Sequence, residues 1–363
     1  MGQQQDVIAL VSQQHSQAVK RGLKGLIIQP GAIGDCILTL PLAYYVQKGL
    51  GLGAVDILGH MDYLSIFPGR SCIDAIRSID LIEMHRLFQA DGDFLLVDQD
   101  PLISAFAEYT WIISFLGGPG SHFETNLIYT AMCSHSAEVM CLPFHPPDGY
   151  RRHISEFYIS QFKAQCGVRI RHRPLALSST IIRPTAADRI KGSKILAAHG
   201  VDPSRPTVLM HPGSGAVRKC WHVDNYIGLA GRLAKEGIQP VFVIGRAEQE
   251  RFGSEWACRL SHVAPVLEGI WLEEVLAVLS VASAHVGNDT GVSHMAGGMG
   301  VRTFVLFGPT DPNVYRPVGP KVTVIRDKTD RFAITPCQAM QEKVLNMILA
   351  ELRGQDKDLE GNA

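Results

Sequence analysis

The chain is expected to be an α/β protein of two parallel-sheet domains in tandem that face a cleft. Three observations predict this. Short aliphatic or β-branched runs alternate with apolar-faced stretches of ten or more residues, the pattern of strands joined by crossover helices. Glycine turns follow strands in both halves, at PGAIGD (30–35), PGSG (212–215) and GNDTG (287–291), and in open parallel sheets ligands bind outside such strand ends. A length of 363 residues exceeds one typical core, so two cores are expected.

Taken in order, residues 1–22 are polar, with weak helical periodicity at Val7, Ile8 and Val11, and read as an N-terminal extension. Residues 24–29 (KGLIIQ) are the first strand, entering a Pro-Gly turn. A helix over 36–48 and a strand over 55–58 follow. Further strands are expected over 72–79 and 94–97, with a helical pattern over 81–90 between them. Residues 101–116 read as one helix, ended by Gly117-Gly118-Pro119-Gly120. Residues 121–147 carry His122, His135 and His145 without readable period, and 153–167 reads as a helix. The expected organisation is a first domain over 23–170, a basic, Ser/Pro-containing linker over 171–185, and a second domain over 186–335. In the second domain, helices are expected over 186–199, 223–236, 247–260 and 272–280, and strands over 207–211 and 240–244. The stretch 284–312 then reads as strand, polar turn, small-residue helix, strand and Gly-Pro turn. The tail, 336–363, contains an amphipathic helix over 336–353, with Met340, Val344, Leu345, Ile348 and Leu349 at core spacing.

Composition narrows the function. A formal net charge of -1 argues against bulk electrostatic binding of nucleic acid. The eight cysteines are scattered without a C-x-x-C pair, the usage of reduced thiols. The first residues lack the basic and long apolar regions of a secretory signal, and Asp6 stands where a myristoylation site has Ser or Thr. No apolar run reaches the length of a membrane span. A soluble, cytoplasmic protein is expected.

Candidate chemistry collects at strand ends. Asp35 follows Gly34 at the first strand-to-helix turn, where a carboxylate suits either the helix dipole or a general base that removes a proton from an acceptor hydroxyl. Gly213, Ser214 and Gly215 can present N–H groups to phosphate oxygens, and Arg218 and Lys219 add positive charge beside them. Lys219 is a point charge suited to a diphosphate leaving group; a solvated basic loop anchored by Trp221 is the other reading. Glu248, or Glu250 two residues on, follows a strand end where a carboxylate either holds ribose hydroxyls or begins a helix. Asp289 or Thr290 can cap a helix beginning near Gly291, and that helix start suits a phosphate. His294, one turn on, reads first as a packed histidine and second as a catalyst. The three-glycine dinucleotide fingerprint and the Walker A sequence are absent, and no Cys/His spacing fits a metal.

In combination, P-G-A-I-G-D-C-I-L-T-L-P (30–41), H-P-G-S-G-x-x-x-K-x-W (211–221), I-G-R-A-E (244–248) and G-N-D-T-G-V-S-H-M-A (287–296) with F-G-P-T-D-P (307–312) resemble glycosyltransferase family nine, the ADP-heptose:lipopolysaccharide heptosyltransferases. The similarity runs from about residue 24 to the end. It implies the GT-B fold, two Rossmann-like domains of which the first binds mainly acceptor and the second nucleotide-sugar, closing about the linker. It implies an inverting transfer of heptose from ADP-heptose to a lipopolysaccharide core or related glycan, with no cofactor and no essential metal. Carried over by residue, Asp35 is the catalytic base, next to Gly34, and Lys219 contacts the donor phosphates. Glu248 or Glu250 holds the ribose, and Asp289, Thr290 and Gly291 form the turn that holds sugar and diphosphate, with Asp289 orienting heptose hydroxyls. Ser214 matches a phosphate-side contact. The implied partners are a nucleotide-sugar donor and a lipid-linked or glycan acceptor, without nucleic acid. The acceptor implies transient contact with the inner face of a membrane; Lys20, Arg21 and Lys24 read first as a solvated face and second as an aid to that contact.

The chain departs from the family at four places. Gln29 and Pro30 stand where many members have a basic residue, His222 follows Trp221 in place of proline, and Arg246 replaces a second glycine. Residues 100–150 match no family pattern. The rival readings are a same-fold transferase using another nucleotide-sugar for a surface polysaccharide or glycoprotein, and a non-catalytic nucleotide-sugar-binding assembly protein. A nicotinamide dehydrogenase is disfavoured by the missing fingerprint.

Overall fold

A computed structural model describes residues 22–90, 92–327, 329 and 331–360, without side-chain description at 246, 247, 250–254 and 354–360. The expected N-terminal extension, with Lys20 and Arg21, lies outside the described residues except for Gly22. The chain divides into two compact units between Ala176 and Leu177.

The first unit runs β1 (Lys24–Ile28), α1 (Ile33–Leu50), β2 (Ala54–Gly59), α2 (Met61–Leu64), β3 (Ile76–Ser78), α3 (Pro101–Phe106), β4 (Trp111–Ser114), α4 (His122–Met132), β5 (Glu138–Cys141) and α5 (Ile154–Gln165). Its five strands are all parallel, in the order β3-β2-β1-β4-β5. Parallel strands are covered on both faces, so they read as continuous apolar runs; Leu26, Ile27 and Ile28 are each at most 1% exposed. β2 and β3 extend to one side of β1, and β4 and β5 to the other. The β1 turn therefore lies where the strand order reverses, the usual ligand position in such sheets. α1 is apolar on most faces, with Cys36–Leu40, Leu42 and Val46 buried, and it ends at Gly51, whose φ of 68° is the left-handed conformation glycine adopts freely.

Several expectations for this unit are corrected. The helix expected over 101–116 is two elements, the short α3 and the strand β4. Both bury apolar side chains, so their pattern runs together; what makes 111–114 a strand is pairing with β1 on one side and β5 on the other. Residues 94–97 form no strand, and 72–79 is paired only over the three residues of β3. The pattern over 81–90 gives 3₁₀ turns at Ile79–Leu81 and Met84–Phe88 in place of a helix. The unread region 121–147 holds α4 and β5.

The second unit runs α6 (Ala186–Ala198), β6 (Thr207–His211), α7 (Val223–Lys235), β7 (Gln239–Ile244), α8 (Arg246–Ser261), β8 (Val266–Glu268), α9 (Leu272–Leu279), β9 (Ala284–Asn288), α10 (Gly291–Gly298), β10 (Arg302–Phe307), α11 (Pro312–Tyr315), β11 (Val322–Arg326) and α12 (Gln338–Glu360). Its six parallel strands are ordered β11-β10-β9-β6-β7-β8. The unforeseen strands β8 and β11 are its two edges. β6 and β9 are neighbours although far apart in sequence, and the strand order reverses between them, so the turns after both strands meet at one place. α12 closes the core as its spacing predicts: Val344 and Ile348 are fully buried, and Met340, Leu345 and Leu349 pack partly buried against the same cluster. All eight cysteines are free. Among the described residues no helix is long and apolar enough to cross a membrane.

Candidate functional site

In the first unit, the turn from β1 into α1 is built around Asp35. This residue is N3 of α1, and its carboxylate accepts a hydrogen bond from the Ala32 N–H at 3.0 Å, supplying an acceptor to one of the unpaired donors of a helix start. Gln29 is fully buried and closes the same turn from the other side. Its side chain accepts from the Gly31 N–H at 2.9 Å and donates to the Thr39 hydroxyl at 2.8 Å. Gly31 leaves room for the acid: a Cβ there would stand 2.8 Å from Asp35 Cβ and Oδ2 and 2.9 Å from Phe144 Cζ. Asp35 is half-buried. A carboxylate fixed by backbone yet in partial contact with solvent can accept a proton.

In the second unit the turns after β6 and β9 are fastened together by Asn288. This side chain is fully buried and uses all four of its hydrogen-bonding positions. Oδ1 accepts from the Trp221 N–H at 2.9 Å and from the Tyr226 hydroxyl at 3.0 Å; Nδ2 donates to the carbonyls of Pro212 at 2.8 Å and Gly213 at 3.0 Å. The loop 212–221 is thereby held to the end of β9, with Trp221 fully buried and its ring 5.2 Å from that of Tyr226. Lys219 lies on that loop, and its ammonium donates to Asp289 Oδ2 at 3.1 Å. The Thr310 hydroxyl donates to the same oxygen at 2.8 Å, and His294 Nε2 stands 3.4 Å from Oδ1. Burial opposes the charge on Asp289, but His294, Lys219 and Thr310 outweigh it and hold its carboxyl down at about 2. It is therefore ionised at neutral pH.

Thr290, not Asp289, is the cap of α10, and its hydroxyl accepts from the Ser293 N–H. Gly291 is the first residue of that helix, so its N–H lies among the unpaired donors of the helix start. Beneath it, burial and then the neighbouring His211 push the His285 imidazole down to about 3, so this ring is neutral. The Ser293 hydroxyl donates to the Asn288 carbonyl at 2.6 Å, which leaves its oxygen to accept from His285 Nε2 at 3.0 Å. Gly287 is required between them, because a Cβ there would come 2.6 Å from His285 Nε2 and 2.7 Å from Ser293 Oγ.

A third group forms where β6 and β7 end. Glu248, at N3 of α8, is buried and accepts from the Gly245 N–H at 3.0 Å. Its other oxygen stands 3.9 Å from His211 Nε2, whose Nδ1 is 3.1 Å from the Val243 carbonyl. A Cβ on Gly213 would collide with the Glu248 side chain, so the glycine admits the carboxylate. Ser214 is buried, whereas Gly215 and Arg218 are exposed. The Glu250 side chain lies outside the described residues.

The structure thus brings Gly213, Ser214, Lys219, Asp289, Thr290 and Gly291 together at one strand-order reversal, with Glu248 against Gly213. The Asp289 side chain is only 6% exposed and already has three partners, which a sugar hydroxyl would have to share or displace. Sequence reasoning missed Asn288, Thr310 and His211, although all three lie inside the quoted motifs. The mixed donor and acceptor capacity of Asn288, placed between two glycine turns, was the available signal. Among the described residues no group of three His, Cys, Asp or Glu side chains is placed to hold a metal.

The profile of Glycosyltransferase family 9 (heptosyltransferase) matches residues 183–347. Lipopolysaccharide heptosyltransferase 1 of Pseudomonas aeruginosa is 33% identical over 111 residues, 31% of this chain and 31% of the relative. The protein of the same name from Escherichia coli K12 is 30% identical over 129 residues, 36% of this chain and 40% of the relative. The alignments therefore span well under two thirds of these relatives. The structure of Escherichia coli ADP-heptose lps heptosyltransferase II superposes with a TM-score of 0.68 at 19% identity, covering 92% of this chain and 100% of that one. That likeness extends the shared fold, two parallel-sheet α/β domains of the GT-B type, over both units. On this fold, the chain is similar over residues 183–347 to glycosyltransferase family 9.

Proposed function

We propose that the protein is an inverting heptosyltransferase that moves a heptose from ADP-heptose to a lipopolysaccharide-core acceptor. The observation that carries this reading is the ion pair at the start of α10, with Lys219 held 3.1 Å from Asp289 inside the family 9 region. An ammonium beside a helix N-terminus is suited to a diphosphate, and its effect grows as the leaving group gains charge. Heptose and ADP enter from the names of the relatives, and the acceptor class from the same source.

In this reading Asp35 takes the proton from an acceptor hydroxyl. The freed oxygen attacks the anomeric carbon, the bond from that carbon to the diphosphate oxygen breaks, and ADP departs from the opposite face, so the configuration inverts. Lys219, the N–H groups of 213–215 and the first N–H groups of α10 stabilise the departing charge, with Arg218 adding a more distant one. Asp289 fixes the Lys219 ammonium. Glu248 or Glu250 receives the ribose hydroxyls. Because this chain's own cations take up the charge, a chelator is expected to leave the rate unchanged.

The test is Asp35→Asn assayed with ADP-heptose and heptose-deficient lipopolysaccharide. The expected result is a loss of about 10²-fold or more in turnover, in the range of a removed general base, with the donor's thermal stabilisation of the protein unchanged. Turnover within a few-fold of wild type would sink the assignment of the base. A panel of nucleotide-sugars in the same thermal assay tests the donor: stabilisation by another sugar nucleotide, and none by ADP-heptose, removes heptose from the reading.

A further inference from the structure

Residues 142–152 form no helix or strand, and Phe144 lies in the stretch that matches no family pattern, yet it reaches the Asp35 turn. A Cβ on Gly31 would stand 2.9 Å from Phe144 Cζ and 2.8 Å from Asp35 Oδ2, so the phenyl ring and the carboxylate are near neighbours. Phe144 is the outer ring of an aromatic cluster. Phe115 and Tyr158, 3% and 2% exposed with centroids 4.5 Å apart, fill the interior of that cluster. The Phe144 ring meets Phe115 at 6.3 Å and His145 at 4.7 Å, both nearly at right angles, and it is only half-buried.

The position of this ring is fixed. Pro143, Pro146 and Pro147 set three backbone φ angles of the segment and restrict the residues before them. The Leu142 N–H donates to the Ser114 carbonyl at 2.8 Å, and the Tyr158 hydroxyl donates to the Phe144 carbonyl at 3.2 Å. Tyr158 stands on α5, which is fastened to the helix that carries Asp35: the buried Ser155 hydroxyl donates to the Leu38 carbonyl of α1 at 2.7 Å. Ring and carboxylate are thus held in one frame.

We propose that Phe144 is a platform on which a pyranose ring of the acceptor stacks, with one of its hydroxyls turned to Asp35. This rests on the reading of Asp35 as the base. A sugar ring has an apolar face of C–H bonds and a rim of hydroxyls. An aromatic side chain takes up the first, and a carboxylate at its edge takes one of the second. The two contacts together fix the plane of the sugar and its rotation, the orientation that proton transfer and attack require. Core packing alone is served by rings closed off from solvent, as Phe115 and Tyr158 are, whereas Phe144 keeps part of its surface open beside the carboxylate. A stacked nucleobase is disfavoured, because the groups suited to a diphosphate, Lys219 and the start of α10, belong to the second unit and Phe144 to the first.

The experiment titrates the full chain calorimetrically with a deacylated, heptose-free lipopolysaccharide-core oligosaccharide in the absence of donor, and then measures transfer kinetics. Phe144→Leu is expected to raise the oligosaccharide Kd and the acceptor KM about tenfold, the worth of one aromatic contact. The kcat, the thermal stabilisation by ADP and the unfolding midpoint are expected to stay at their wild-type values, the signature of lost ground-state binding. Phe144→Tyr keeps the ring and is expected to bind within a few-fold of wild type. Binding read without donor separates this inference from the reaction itself: if no heptose is transferred, yet the oligosaccharide binds and Phe144→Leu weakens it, the reaction falls and the platform stands. Undiminished binding by Phe144→Leu, binding lost in Phe144→Tyr, no binding by wild type, or loss of the ADP stabilisation in the leucine variant would each overturn the inference.

Discussion

Asn288→Ala tests whether the second unit's site is held together as its geometry indicates. The substitution deletes four hydrogen bonds of 2.8 to 3.0 Å from a fully buried side chain. At about 0.5–1.5 kcal/mol net for each, the loss is about 2–6 kcal/mol. The upper half of that range is expected, since the buried Trp221 N–H and the Pro212 and Gly213 carbonyls each lose this partner. A domain is stable by about 5–15 kcal/mol, so the change is large but survivable. Tyr226→Phe removes one of the four bonds and is expected to cost about 1 kcal/mol. The double variant should be less destabilised than the sum by about the same amount, because the two side chains share one contact. Urea unfolding followed by tryptophan fluorescence reads the second unit, which holds Trp221, Trp256 and Trp271. A cost below about 1 kcal/mol for Asn288→Ala, or strict additivity with Tyr226→Phe, refutes the clamp.

Two further outcomes follow from the same coordinates. Gly31→Ala places a methyl group 2.8 Å from Asp35 Cβ and Oδ2, so it is expected to lower transfer at least tenfold while the urea midpoint of the first unit moves little; transfer at the wild-type rate would show that the position of Asp35 is not critical. The Asp289 carboxyl is held at about 2, below its ordinary 3.8. A lowered carboxylate contributes stability that is complete above the unfolded value and is lost as the pH falls through about 2. Wild type is therefore expected to lose more stability between pH 4 and pH 2 than Asp289→Asn does, and equal slopes in pH-resolved urea unfolding would contradict the charge assigned to Asp289.

Local pattern made much of this protein legible. The runs 24–29, 207–211 and 284–288 are apolar, short and bounded by glycine turns, so each announces a buried parallel strand with a loop at its end; those loops proved to hold the candidate residues. Asp35 could be placed at a helix start because the two elements on either side of it are adjacent in sequence. Local pattern failed where neighbouring elements share one apolar period, as with α3 and β4, and where a strand is as short as β8. It could not reach the contacts that assemble the site. The partners of Asn288 lie 62 to 76 positions away, and Lys219 and Asp289 lie 70 apart. Those groups meet only because β6 and β9 become neighbours where the strand order reverses. Periodicity and turn chemistry specify each strand and each loop by itself, whereas strand order is set by how all the elements bury their apolar faces together. Only the tertiary structure could therefore convert two separate glycine turns into one lysine–aspartate pair held by a buried asparagine.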